Sequence, residues 1–186
     1  MELRETYHEE DDAVEPIGHL VEHRVPWLFV GLLGGLLTAV IVSKYEAILS
    51  ANIQLAFFIP IIGYLSDEVG TQAEIIYVRA LAHKKKVLFR SHLLKESAIG
   101  VTLGIIFGAI IGFSAAYWLS SPAIGFTIGL TMFINLSIAP VLAVCVSSIL
   151  HKYHTDPALG SGPMATVIQY AISLLIYFAI ANIIIF

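Results

Sequence analysis

Between Ser97 and His151 the chain carries no Asp, Glu, Lys or Arg, a run of about 55 residues. A soluble core of this size does not tolerate so long a stretch without charge, whereas two membrane spans of about 20 residues each, with a turn between them, account for it. From Pro157 to the C-terminus the chain is again uncharged, which gives room for one more span. The composition agrees: 58% of the 186 residues are hydrophobic, 13% are charged, and the mean hydropathy is +0.84. We therefore expect an all-α, polytopic membrane protein.

Five spans are expected, at about 26–43, 53–82, 97–119, 123–150 and 163–185, with the third and fourth divided at Ser120-Ser121-Pro122. Before them, residues 1–25 form a separate region. Met1 to Glu15 is rich in Glu and Asp and reads as a solvated, cytosolic tail. Ile17 to Val25, with Ile17, Leu20 and Val21 on one side, reads as a short interfacial helix. Pro26 then suits the first turn of the first span, and Trp27 the lipid headgroup level. No cleavable leader is expected, because the N-terminus is acidic and the first apolar run begins near Pro26.

Basic residues set the orientation. Lys84, Lys85, Lys86, Arg90 and Lys95 cluster between the second and third spans, which places that connection in the cytoplasm. With five spans the N-terminus is then cytoplasmic and the C-terminus outside, in a plasma (inner) membrane.

The second span holds the unusual chemistry. Ile53 to Leu65 supplies about 13 mostly apolar residues, against the roughly 20 that a spanning helix needs, so the segment must run on through Asp67 and Glu68. Each ionised acid near the bilayer centre costs about 2.5 to 3.5 kcal/mol, and such a pair persists where it faces protein, water or a cation. At 100° per residue Tyr64, Asp67, Thr71 and Glu74 share one side of the helix, and Glu68, Gln72 and Arg79 an adjoining strip. That face can line a water-filled path. The competing view ends the helix at Ser66 and leaves the acids at the surface, with a span that is too short.

In the fifth span Thr166, Gln169 with Tyr170, Ser173 and Tyr177 recur at helical spacing and supply an opposite wall, although hydroxyls also bond to their own helix carbonyls. Thr127, Thr131 and Asn135 in the fourth span read as interhelical glue. Gly100, Gly104, Gly108 and Gly112 recur every four residues in the third span, which favours close packing within one bundle over a dimer seam. His151, His154 and Asp156 resemble a metal triplet, but Asp156-Pro157 also reads as a helix cap followed by proline, and we prefer that structural role. Cys145, the one cysteine, reads as core filling. With no HExxH, GxSxG or phosphate loop, and no nucleophile and base that can be paired, an enzyme is not expected.

From Pro26 onward the chain resembles the membrane domain of the MgtE family of magnesium channels. The likeness is carried by Leu55-Ala56-Phe57-Phe58-Ile59-Pro60, Val69-Gly70-Thr71-Gln72 followed by Val78-Arg79-Ala80-Leu81-Ala82, Lys95-Glu96, Asp156-Pro157-Ala158-Leu159 with Ser161-Gly162-Pro163, and Leu174-Leu175-Ile176-Tyr177-Phe178. The resemblance implies a homodimer of five-helix subunits whose pore lies at the dimer interface, lined mainly by the second and fifth helices. Two departures stand out. Ser66-Asp67-Glu68 replaces a Gly-Gly-Asn of the family pattern, and Tyr170 stands where the family has a pore Asp. The acid has in effect moved from one wall to the other. The cytosolic N domain and CBS pair of full-length members have no counterpart in this sequence, so regulation through them is not expected.

Together these readings give Mg²⁺ as the transported ion, with Mn²⁺ or another divalent as a variant, and no organic cofactor. The residues expected to meet it are Asp67, Glu68, Thr71, Gln72, Thr166, Gln169 and Tyr170. The alternatives are an exchanger that uses H⁺ or Na⁺, and a non-conducting subunit or one that pairs with a related, Asp-bearing half. The expected partners are the lipid bilayer and a second subunit, and no nucleic acid.

Overall fold

The computed structural model describes residues 16–82, 89–152 and 157–186. The acidic tail, Lys84 to Lys86, and two members of the triplet at His151, His154 and Asp156 lie outside the described residues. Every long element is a helix: α1 (Ile17–Lys44), α3 (Ile59–Ala82), α4 (Phe89–Trp118), α5 (Pro122–Lys152) and α6 (Pro157–Ile185), with a short α2 (Glu46–Ala51) and a 3₁₀ turn at Ile53–Phe58 between the first two. Among the described residues there is no strand, and five helices are long and apolar enough to cross a membrane.

The first span differs from expectation at its start. A single helix runs from Ile17 through Pro26 to Lys44, so the interfacial helix and the first span are one element. Proline removes one N–H, which deprives only the Glu22 carbonyl of its helical partner. Glu22 and Arg24 are exposed, so this loss falls where polar neighbours and water can compensate it.

The division at Ser120-Ser121-Pro122 is built from local chemistry. Ser120 takes a positive φ of 50°, the left-handed residue that ends α4, and Ser121 N–H reaches back to the Ala116 carbonyl at 3.1 Å. Ser121 then caps the next helix, its Oγ accepting from Ile124 N–H at 3.4 Å, with Pro122 in the first helical position. One helix stops and the next starts within three residues, which folds α4 and α5 into a hairpin.

The glycines at every fourth position fix how closely that hairpin closes. Gly100 faces the Leu136 carbonyl, Gly104 that of Phe133, Gly108 that of Gly129 and Gly112 that of Gly125. The quartet packs within the protomer, as its spacing suggests. From α4, α5 extends contacts to α3 and α6, and the main core cluster gathers Ile62, Ile128, Met132, Leu136, Leu174 and Phe178 between them. Helix α1 lies on the outside of the bundle and touches α6, where Gly34 meets Val167.

One hydrogen bond ties α6 to the entrance of α3. The Tyr177 hydroxyl, fully buried, donates to the Leu55 carbonyl at 2.7 Å. Leu55 sits in the 3₁₀ turn, so this bond sets the height of α3 against α6. Tyr177→Phe should remove this buried bond and destabilise the protein by about 1 kcal/mol. Thermal unfolding of the detergent-solubilised variant beside the parent measures this.

Candidate functional site

The second span continues as a helix through the acids. α3 runs without a break from Ile59 to Ala82, and with the preceding turn the candidate span covers Ile53–Leu81. Asp67 lies at its middle. Ile62, Ser66, Val69, Gly70, Ala73 and Tyr77 are buried and form the inner face of this helix. Tyr64, Glu68, Gln72 and Arg79 are exposed on the outer side, and Asp67 and Thr71 lie half-buried at the boundary. Glu74, on the same side as Asp67 and Thr71, is turned inward and only 8% exposed.

Helix α6 meets this boundary directly. The Thr166 hydroxyl donates to Asp67 Oδ1 at 2.7 Å, a bond between residues 99 apart in sequence. The bond occupies one lone-pair direction of the carboxylate and holds the group in place. Glu68 is positioned by its own helix, its Oε1 accepting from Gln72 Nε2 at 3.2 Å, one turn on. One turn beyond Thr166 on α6, the Tyr170 ring rests on Gly63, where an added methyl group would come within 2.6 Å of ring carbon Cε1. Glycine at position 63 is what lets the ring lie against α3.

The seven expected residues therefore divide into groups. Asp67, Thr166 and Tyr170 come together on the α3/α6 seam with Thr71 beside them, and Glu68 with Gln72 forms an adjoining exposed strip. Gln169 does not join them. It is 2% exposed, packs on Gly70 in the interior, and neither its Oε1 nor its Nε2 has a hydrogen-bond partner. Ser173 and Tyr177, expected on the same wall, are also buried. The periodic stripe on α6 is real but its surroundings differ along it: Thr166 and Tyr170 are half-buried, while Gln169, Ser173 and Tyr177 are buried in the protein. Glu74 is legible from sequence on the acidic side of α3, but its burial is not.

The polar line on α5 serves packing. Thr127 and Thr131 hydroxyls donate to the carbonyls four residues earlier, and Asn135 Nδ2 reaches the Ser173 carbonyl on α6 at 3.4 Å. Among the described residues no group of three or more His, Cys, Asp or Glu side chains is arranged to hold a metal ion. The acids of the seam are separate carboxylates surrounded by hydroxyls and amides. That chemistry suits an ion that keeps its water, because the neutral groups can bond to the hydration shell.

A family model described as a divalent cation transporter matches residues 59–180, from the start of α3 into α6. A magnesium transporter MgtE of Bacillus subtilis is 32% identical over 162 residues, which is 86% of this chain and 36% of that protein. The magnesium transporter MgtE of Enterococcus faecalis is 34% identical and that of Thermus thermophilus 29% identical, each over 161 residues with the same coverage. The chain thus spans about a third of the length of the curated relatives it matches.

Proposed function

The chain belongs to the MgtE family of divalent cation transporters, and from that premise we propose that it passes a hydrated divalent cation, Mg²⁺ foremost, along the α3/α6 seam where two copies meet. The observation that carries this reading is Asp67: a carboxylate in the middle of a spanning helix, half-buried and fixed by Thr166 of α6. The exposed strip beside it supports a second copy. Glu68 and Gln72 project from the surface of the single bundle at mid-span, where lipid would be a poor neighbour for a carboxylate. Facing the same strip of a partner across water, they would instead line a path. Such a dimer would present up to four carboxylates from its two α3 helices.

Mg²⁺ binds through one or two carboxylates while keeping several waters. In this reading Asp67 and Glu68 attract the ion, and Thr71, Gln72, Thr166 and Tyr170 hydrogen-bond its shell. Tyr170, in the position of the family Asp, contributes a hydroxyl in place of a charge. Uptake needs no fuel, because a double charge moving down 100 mV of inside-negative potential gains about 4.6 kcal/mol, from roughly 2.3 per elementary charge.

The test is flux through the purified full chain in liposomes that contain a Mg²⁺-sensitive dye. Uptake should rise with an inside-negative potassium diffusion potential and need no gradient of H⁺ or Na⁺. Uptake that appears only with an opposing H⁺ or Na⁺ gradient would establish exchange, and no uptake at any potential would leave a non-conducting subunit.

A further inference from the structure

Glycine in a helix interior weakens the helix relative to alanine, so the buried Gly63 within α3 calls for a reason, and the reason is a single side chain. A Cβ built there would meet Cε1, Cζ and Cδ1 of Tyr170 at 2.6, 3.0 and 3.1 Å, and these are its three nearest atoms. The glycines of α4 are different. Gly100, Gly104, Gly108 and Gly112 each meet a carbonyl oxygen of α5 first, so they set the distance between two backbones. Gly63 meets only the far end of a side chain. It forms a recess for one aromatic ring.

That recess lies beside the acid of the seam. Gly63 and Asp67 are one turn apart on α3, and Tyr170 and Thr166 are one turn apart on α6. The contact of Gly63 with Tyr170 and the hydrogen bond of Asp67 with Thr166 are therefore successive rungs of one seam, about 6 Å apart along the helices. Tyr170 is half-buried, so part of the ring is open.

We propose that Gly63 is a positioning residue of the transport path: it recesses the Tyr170 ring into α3, and the depth of the recess sets the width of the approach to Asp67. This rests on the transport function above. Carbon atoms ordinarily touch at about 3.5 to 4.0 Å, so a methyl group at position 63 moves the ring by about 1 Å from its present seat. The α3 backbone lies in front of the ring and its own α6 backbone behind it, while the neighbouring Gln169 already fills the interior against Gly70. The displaced ring goes to the open side, where the ion passes. Mg²⁺ gives up its waters reluctantly, and an aromatic edge cannot replace them. A path sized for the hydrated ion is therefore narrowed by a ring that no longer sits in its recess.

The test is Mg²⁺ and Ba²⁺ uptake by liposomes containing the full chain, over a range of ion concentrations, for the parent, Gly63→Ala, Tyr170→Ala and the double variant. Gly63→Ala should lower the maximal rate of Mg²⁺ uptake on the order of tenfold, with a half-saturating concentration near that of the parent because Asp67 and Thr166 are untouched. Adding Tyr170→Ala to Gly63→Ala should raise the rate again several-fold, since the obstructing ring is gone. Tyr170→Ala alone widens the approach and should raise the ratio of Ba²⁺ to Mg²⁺ uptake, which a ring with a purely structural role would not move. Thermal unfolding reports whether each variant keeps the fold, and if Gly63→Ala does not fold, the ion ratio in Tyr170→Ala decides. Parent-like uptake by Gly63→Ala, no recovery in the double variant, or an unchanged ion ratio in Tyr170→Ala overturns the recess and leaves the transport function standing. No uptake by the parent overturns both.

Discussion

Replacing Asp67 by Asn and Glu68 by Gln in one protein should reduce divalent uptake to the leak of protein-free liposomes. Both changes are close in volume, and the carboxamide oxygen introduced at position 67 can still accept the Thr166 hydroxyl that now bonds Asp67 at 2.7 Å. What disappears is charge. At an effective dielectric constant of about 20, two unit charges 4 Å apart attract by about 4 kcal/mol. Even half of that, lost at each acid, leaves the ion unable to trade bulk water for the path, and a loss of about a hundredfold or more follows. Asp67→Asn alone should be the more severe single change, since Asp67 is held in the seam by Thr166 of α6 while Glu68 is exposed and bonded to Gln72 of its own helix. Stability should move the other way. In the proposed dimer, removing like charges near one another relieves repulsion, so thermal unfolding of the double variant should occur at the parent temperature or above it. Full uptake by a well-folded double variant would mean that the ion does not pass Asp67 at all.

The helix that carries these acids was legible from sequence for a simple reason. Thirteen apolar residues cannot span a bilayer, so α3 had to continue through the acids, and it does. The α4/α5 break was legible for a similar reason, because Ser-Ser-Pro offers a helix end, a cap and a first-turn proline in order. Pro26 misled in the opposite direction. Proline favours a helix start, but it tolerates the interior of a long apolar helix when only one carbonyl loses its partner, and α1 passes through it. For the candidate site, the sequence shows which side chains share a helix face and less of what surrounds them. Periodicity shows which residues of α6 share a stripe, yet the direction of that stripe depends on where α3 leaves room. Gly63 admits the Tyr170 ring and Gly70 admits the Gln169 amide, so two adjacent residues point into different surroundings. A helical wheel for one helix contains no information about its neighbour's glycines. The burial of Glu74, at 8% exposure, is likewise a matter of what packs against α3 and not of its own helix.

The hairpin of α4 and α5 should be the least forgiving part of the molecule, and Gly108→Leu a severe substitution within it. A Cβ at position 108 would lie 2.8 Å from the Gly129 carbonyl oxygen, with the backbone nitrogen of Phe133 at 3.2 Å. Neither obstacle is a side chain that can swing away. Both belong to helix backbone, so α4 and α5 must move apart, and the separation propagates to Gly104 and Gly112, whose own Cβ positions lie 2.6 Å and 3.0 Å from the carbonyls opposite. Overpacking usually costs about 1 to 3 kcal/mol when side chains can adjust. With backbone on both sides, and the close fit opened along several turns, the cost should exceed that range. Lipid offers no hydrophobic drive to close the gap again, because helices associate in it chiefly through tight van der Waals fit. Gly108→Leu should therefore fail to yield folded protein by size-exclusion chromatography in detergent. Gly31→Leu, at a glycine with nothing within 4 Å of the added Cβ, is the matched control for the same substitution on an apolar span. If Gly108→Leu elutes and unfolds like the parent, the close approach of α4 to α5 is not what holds α5 in place against α3 and α6. In that case the geometry at Asp67 and Thr166, which depends on α5 as the common neighbour of both helices, would need another support.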